Sequence, residues 1–284
     1  MTLLSTGNTA WVLISTIMVL MMSILGIIFF YGGLSKRKNV FNTMFLSLIA
    51  FAIASIIWIA FGYQTSFSSS TFMGIIGIPN GFMMENIGIN SLTGSIPTIV
   101  FAEFQLTFAG LTAAIVSGSI VGRMKTGSWI IFTIVWVTLV YIPLVHWIWG
   151  GGWLMSLGAL DFAGGVAVEV NSGCSALALA LVLGKRKDNS LIPHNFGYFI
   201  LGVGFLWFGW MAFNSGSALA ANGLAGYAIL LSNTTTAMAL ITWVILDILK
   251  IGKPTVLGVI TGAVAGLVAV TPAAGYISLS DQLF

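Results

Sequence analysis

Apolar residues run through this chain in long blocks, and the basic residues are gathered into the short segments between them. Eight such blocks stand at 10–32, 40–62, 96–121, 127–149, 162–184, 195–217, 225–249 and 254–274. Each is close to the roughly 20 residues that a helix needs to cross the core of a bilayer. The pattern therefore predicts an all-α, polytopic membrane helix bundle forming a single membrane domain over 1–284. The one long polar stretch, 63–95, is rich in Ser, Gly and Asn and reads as a loop outside the membrane, its tip a poor place for chemistry.

Charge adds a direction to this picture. The ten Lys and Arg fall after the first span (Lys36, Arg37, Lys38), the third (Arg123, Lys125), the fifth (Lys185, Arg186, Lys187) and the seventh (Lys250, Lys253). All of these loops lie on one face, which the positive-inside rule makes cytoplasmic, so both the N-terminus and the C-terminus are expected outside. The net charge of +3 then follows from topology and does not indicate a nucleic-acid partner. Composition agrees: 58% hydrophobic and 6% charged residues exclude a soluble domain, and 34 glycines suit closely packed membrane helices. Cys174 is the sole cysteine, so no intrachain disulfide forms, and no cleavable signal peptide is expected because no basic region precedes the first apolar block.

The few polar residues inside the spans converge on one region. "DFAGGVAVEVNSGC" (161–174) carries Asp161 at the start of the fifth span, where it reads equally as a helix cap or as part of a site. Glu169 lies eight residues further in, about 12 Å along a helix, where no cap explains it. A protonated Glu bonded to a neighbouring helix is the plainer alternative. Aromatic residues frame the same depth: Phe104 and Phe108 one turn apart, the tryptophans ending "VHWIWGGGW" (145–153), and Phe213, Asn214 and Ser217 in "WFGWMAFNSGSA" (207–218). Singly each is a packing or interface residue. As a set beside Asp161 they describe a cation site, since aromatic faces attract a partly desolvated cation by about 2 kcal/mol and a Ser hydroxyl accepts from an ammonium N–H. His146 and His194, at span ends, read as structural. Neither a nucleotide loop, a metal site nor a cofactor site is visible.

"YGGLSKRKN" (31–39), "YIPLVHWIWGGG" (141–152), "GALDFAGG" (158–165), "GWMAFNSGSA" (209–218) and "GLVAVTPAAGYI" (266–277) closely resemble the ammonium transporter family, which includes the Mep and, more distantly, the Rhesus proteins. The resemblance runs almost end to end. It implies a multi-pass plasma-membrane homotrimer whose subunits each carry a pore between two inverted five-helix repeats, with a cytoplasmic PII-type regulatory protein as a further partner. The first repeat would occupy about 10–184 and a second, partial one 195–284. Carried over, Phe108, Trp149 and Ser217, with Phe104 beside them, match the family's outer ammonium site. Phe108 and Phe213 match the stacked rings below it, and Asp161 matches the acid that supports binding and deprotonation. Glu169 takes the place where most members carry the first of two pore histidines, as some fungal members also do, and would serve in proton relay.

Two departures accompany the match. The family's second pore histidine comes from a span after the eighth, so about three helices and a tail are expected beyond this stretch, and Glu169 is expected to face lipid or a gap. "VGRMKTG" (121–127) lacks the acid usual in that loop, which would weaken a cytoplasmic contact. The functional expectation is ammonium/ammonia transport by capture, deprotonation and passage through an apolar pore. The alternative is an ammonium sensor, or a non-conducting subunit that associates with full-length transporter. A membrane enzyme is disfavoured because no nucleophile with its base is visible.

Overall fold

The computed structural model describes residues 3–186 and 193–281; Lys187 lies outside the described residues. Eight helices long and apolar enough to cross a membrane are present among them: α1 (Thr6–Leu34), α2 (Arg37–Phe67), α3 (Thr98–Ser119), α4 (Thr126–Ser156), α5 (Gly165–Leu183), α6 (Phe196–Gly216), α7 (Gly223–Ile251) and α8 (Val256–Ala273). Each falls on one of the apolar blocks. The ends move where polar caps override hydropathy: α1 starts early because Ser5 accepts from the Asn8 N–H. Asn195, Asn222 and Thr255 cap α6, α7 and α8 by the same i to i+3 bond. Fifth-span helix begins three residues later than its apolar block, because 161–164 is irregular backbone.

Four spans contain a one-turn π-helical stretch: Met22–Gly26, Trp58–Gly62, Val137–Tyr141 and Gly165–Val170. Such turns widen a helix locally and recur at functional sites. The last of them carries Glu169.

Among the spans α3 is the most buried, and the others wrap it. α1 and α6 approach backbone to backbone: a Cβ on Gly202 would run into the main chain of Phe30. That closeness matters because lipid gives helices no hydrophobic reason to associate, so dense packing and interhelical hydrogen bonds must do it. Indole N–H groups supply several of the bonds, with Trp58 donating to Ala102 O (3.0 Å), Trp129 to Leu46 O (2.9 Å) and Trp210 to Thr271 Oγ1 (2.8 Å).

The two ends of the bundle differ. At one, 63–67 of the expected loop continues α2, and residues 68–97 carry two antiparallel hairpins, β1 (Thr71–Phe72) with β2 (Ile76–Gly77) and β3 (Leu92–Thr93) with β4 (Ile96–Pro97). Trp147 pins the first through its indole N–H to Ile75 O, and Asn8 holds the turn of the second by donating to Ser95 Oγ. At the other end Lys36, Lys38, Arg123, Lys185 and Arg186 surround one cleft.

The expectation that Glu169 faces lipid or a gap is not met. Its side chain is only 9% exposed, although Val170, Leu177, Leu181 and Val182 of the same helix are bare. The reason is α8, whose Val264 and Val268 close the wall opposite Glu169.

Candidate functional site

The site starts from the irregular segment before α5. Gly164 adopts φ +108°, a left-handed conformation that favours glycine, and turns the chain abruptly into the π turn. The N–H groups freed by that turn are collected by one side chain. Asp161 Oδ1 accepts from Gly164 N (2.8 Å), and Oδ2 accepts from Val166 N (2.9 Å) and Ala167 N (3.0 Å). Of the two sequence readings of Asp161, the cap is therefore present in the structure. Burial raises its carboxyl pKa above the ordinary value, against the pull of these N–H donors. The segment is also tied outward: Phe162 N donates to Pro272 O (3.0 Å), and the Trp149 indole donates to the Asp161 main-chain oxygen (2.8 Å).

Trp149 so fixed forms one wall of a cavity of about 210 Å³ near the hairpin end, lined by Phe67, Phe101, Phe104, Gln105, Trp149, Asp161, Phe162, Ser217 and Leu219. Its ring meets Phe108 edge-on at 6.0 Å, and Phe108 meets Phe104 edge-on at 5.0 Å. Ser217 donates its O–H to Phe213 O (2.8 Å), which leaves the oxygen's lone pairs available to a cation N–H.

Below this cavity Phe108 and Phe213 stack face to face, centroids 4.0 Å apart and planes 16° from parallel, both fully buried. The next turns of the same helices open a second cavity of about 160 Å³. Its walls include Leu111 and Ile115 of α3, Leu206 and Trp210 of α6, Tyr31 of α1, and Glu169 and Ser172 of α5. Neither carboxyl oxygen of Glu169 has a hydrogen-bond partner among the described residues.

The seven sequence candidates are brought together: Phe104, Trp149, Asp161 and Ser217 line the first cavity, Phe108 and Phe213 stack between its Trp149 and Trp210 of the second, and Glu169 lines the second. Sequence reasoning missed Gln105, whose buried amide oxygen has no partner among the described residues and which lines the first cavity. The signal was there, an amide between Phe104 and Phe108 in a helix long and apolar enough to span a membrane. His146 is fully buried with Nδ1 3.0 Å from Ser66 O, a tie between the ends of α4 and α2. Among the described residues no three His, Cys, Asp or Glu gather as metal ligands.

Comparison with known proteins decides what these residues belong to. The sequence model of the Ammonium Transporter Family matches residues 10–282. The chain belongs to the ammonium transporter family. A putative ammonium transporter of Methanothermobacter thermautotrophicus is 50% identical over 99% of this chain and 69% of its own length. The ammonium transporter of Aquifex aeolicus is 48% identical over 99% and 66%. Among solved structures, Saccharomyces cerevisiae Mep2 superposes with a TM-score of 0.91 at 37% identity, covering 99% of this chain and 64% of that one. A sensor Amt protein superposes at 0.90 with 31% identity. This ammonium transporter family chain therefore spans about two thirds of the length of such relatives. Membership agrees with the expected all-α membrane bundle and with a transporter family in place of an enzyme.

Proposed function

We propose that the chain moves ammonium across a membrane by holding the cation in the aromatic cavity, releasing its proton there, and passing neutral ammonia between Phe108 and Phe213. The proton passes to water in that cavity, beside Asp161, and travels separately along polar groups that include Glu169. The observation that carries this reading is the stacked pair of rings between a cavity with acceptor oxygens and a cavity with an unpartnered carboxyl. An apolar partition penalises any bare ion heavily and a neutral amine far less, so potassium, which cannot shed its charge, stops where ammonium need not.

In this reading Phe104, Phe108 and Trp149 attract the cation, and Ser217 Oγ and Gln105 Oε1 accept its N–H bonds. Asp161, its oxygens already taken by three main-chain N–H groups, contributes negative potential and holds Trp149 in place. The aromatic cavity opens outward with the N-terminus, and the basic loops face the cytoplasm, in the plasma membrane. The chain works as one subunit of a homotrimer, with a PII-type protein as a partner on the cytoplasmic face.

The test is uptake of labelled methylammonium by cells lacking other carriers. Trp149→Leu should raise the half-saturating concentration about tenfold, the equivalent of roughly 1.4 kcal/mol of lost cation attraction, with assembly intact. Gln105→Leu should raise it severalfold for one lost hydrogen bond of about 1 kcal/mol. An unchanged concentration dependence removes the residue concerned from the site. Saturable binding of the cation by purified protein without any uptake would instead favour the sensor reading, to which the likeness to a sensor Amt protein lends support.

A further inference from the structure

At the basic end, three loops that the transport reading leaves without a task close around a cleft of about 450 Å³. Lys36 and Lys38 come from the connection after α1, Arg123 from that after α3, and Lys185 and Arg186 from that after α5, with Asn39 between them. Among the described residues no carboxylate lines it. Topology alone asks for basic residues near the membrane surface and is indifferent to how they are arranged. Here they are arranged.

Two guanidinium groups clasp each other's loops. Arg123 donates through Nη1 to Gly184 O (2.8 Å) at the end of α5 and through Nη2 to Ser119 O at the end of α3. Arg186 returns the grip, donating through Nη1 to Val121 O (2.6 Å). Both are held by neutral carbonyls. Such bonds fix position and, among the described residues, no carboxylate of the cleft balances either charge; carbonyls at helix C-termini offset part of it. A guanidinium has five N–H donors, so these bonds leave further donors on each group, and the buried Arg123 Nε has no partner among the described residues. Partial burial, and then the charge of Arg123, lower the pKa of Arg186. Two like charges are thus held together by the backbone in a cleft of ligand size.

We infer that this cleft binds a phosphate-bearing anion, either the headgroup of an acidic membrane lipid or a soluble phosphate compound, with Arg123 and Arg186 as the fork and Lys38 and Lys185 as flanking point charges. Fixed, planar, multiply donating guanidinium groups suit the oxygens of phosphate. The cleft's position, at the ends of two membrane spans, lies within reach of either source. The inference rests on no part of the transport reading.

The experiment uses the purified chain in uncharged detergent and reads ligand retention by native mass spectrometry. Phosphatidic acid, whose headgroup is a bare phosphomonoester, is compared with phosphatidylcholine and, separately, with inorganic pyrophosphate in the absence of lipid. One equivalent of phosphatidic acid or pyrophosphate should be retained in preference to phosphatidylcholine. Arg186→Gln should weaken that retention at least tenfold, and the exposed pair Lys38→Gln with Lys185→Gln severalfold at an unchanged melting temperature. Retention of phosphatidic acid alone assigns the site to lipid; displacement by micromolar pyrophosphate assigns it to a soluble compound. Equal retention by the parent and the Lys38→Gln/Lys185→Gln variant, or no preference for either phosphate probe over phosphatidylcholine, overturns the inference.

Discussion

Asp161→Ala is expected to lower the stability of the folded chain by roughly 3 kcal/mol or more, before any question of transport arises. The carboxylate satisfies three main-chain N–H groups at once, those of Gly164, Val166 and Ala167. Truncation strands them in a buried turn, where each unpaired donor costs about 1–3 kcal/mol. The loss should appear as a markedly lower melting temperature in detergent, followed by tryptophan fluorescence, since Trp149 hangs on the same residue's main-chain oxygen. Asp161→Asn retains one acceptor oxygen and should fall between the two. An Ala variant that melts with the parent yet fails to take up ammonium would give Asp161 a chemical role in place of the cap.

Glu169→Gln should reduce ammonium-driven charge movement at least tenfold while leaving the fold unchanged. The amide keeps the shape and cannot titrate, and neither carboxyl oxygen of Glu169 has a hydrogen-bond partner among the described residues for the change to break. Glu169→His should retain transport with a shifted pH profile. A loaded Glu is neutral and an empty one negative, whereas a loaded His is positive and an empty one neutral, so the two differ in how strongly the empty pore attracts potassium. Proteoliposome currents at several pH values, with and without potassium, read both effects. Parent-like current from the Gln variant at every pH would leave Glu169 as a permanently protonated helix contact.

Much of this was legible in the chain itself. Twenty-residue apolar blocks admit only one solvent, and basic residues in alternate loops order the spans, so Lys36, Arg123 and Arg186 were on one face before any coordinates. The site candidates were legible because acids and amides inside spans are rare and the aromatics fall at one depth. What escaped was what depends on backbone detail. Asp161 as the collector of three N–H groups follows from a left-handed Gly164 and a π turn, neither of which hydropathy records. The burial of Glu169 depends on Val264 and Val268, three spans away in sequence. The clasp of Arg123 and Arg186 required knowing that the ends of α3 and α5 are neighbours.

The irregular segment before α5 has its abutment in α8: Phe162 bonds to Pro272 O, and a side chain on Gly165 would run into the Pro272 ring. A chain inserted from its N-terminus must therefore hold α5 in the bilayer, acid and all, through the arrival of three further spans before the mouth can set. Until then neither the aromatic cavity nor the wall over Glu169 has its final shape. Neither cavity is complete before α8 is in place, so a partly inserted chain would offer no finished route of the kind proposed.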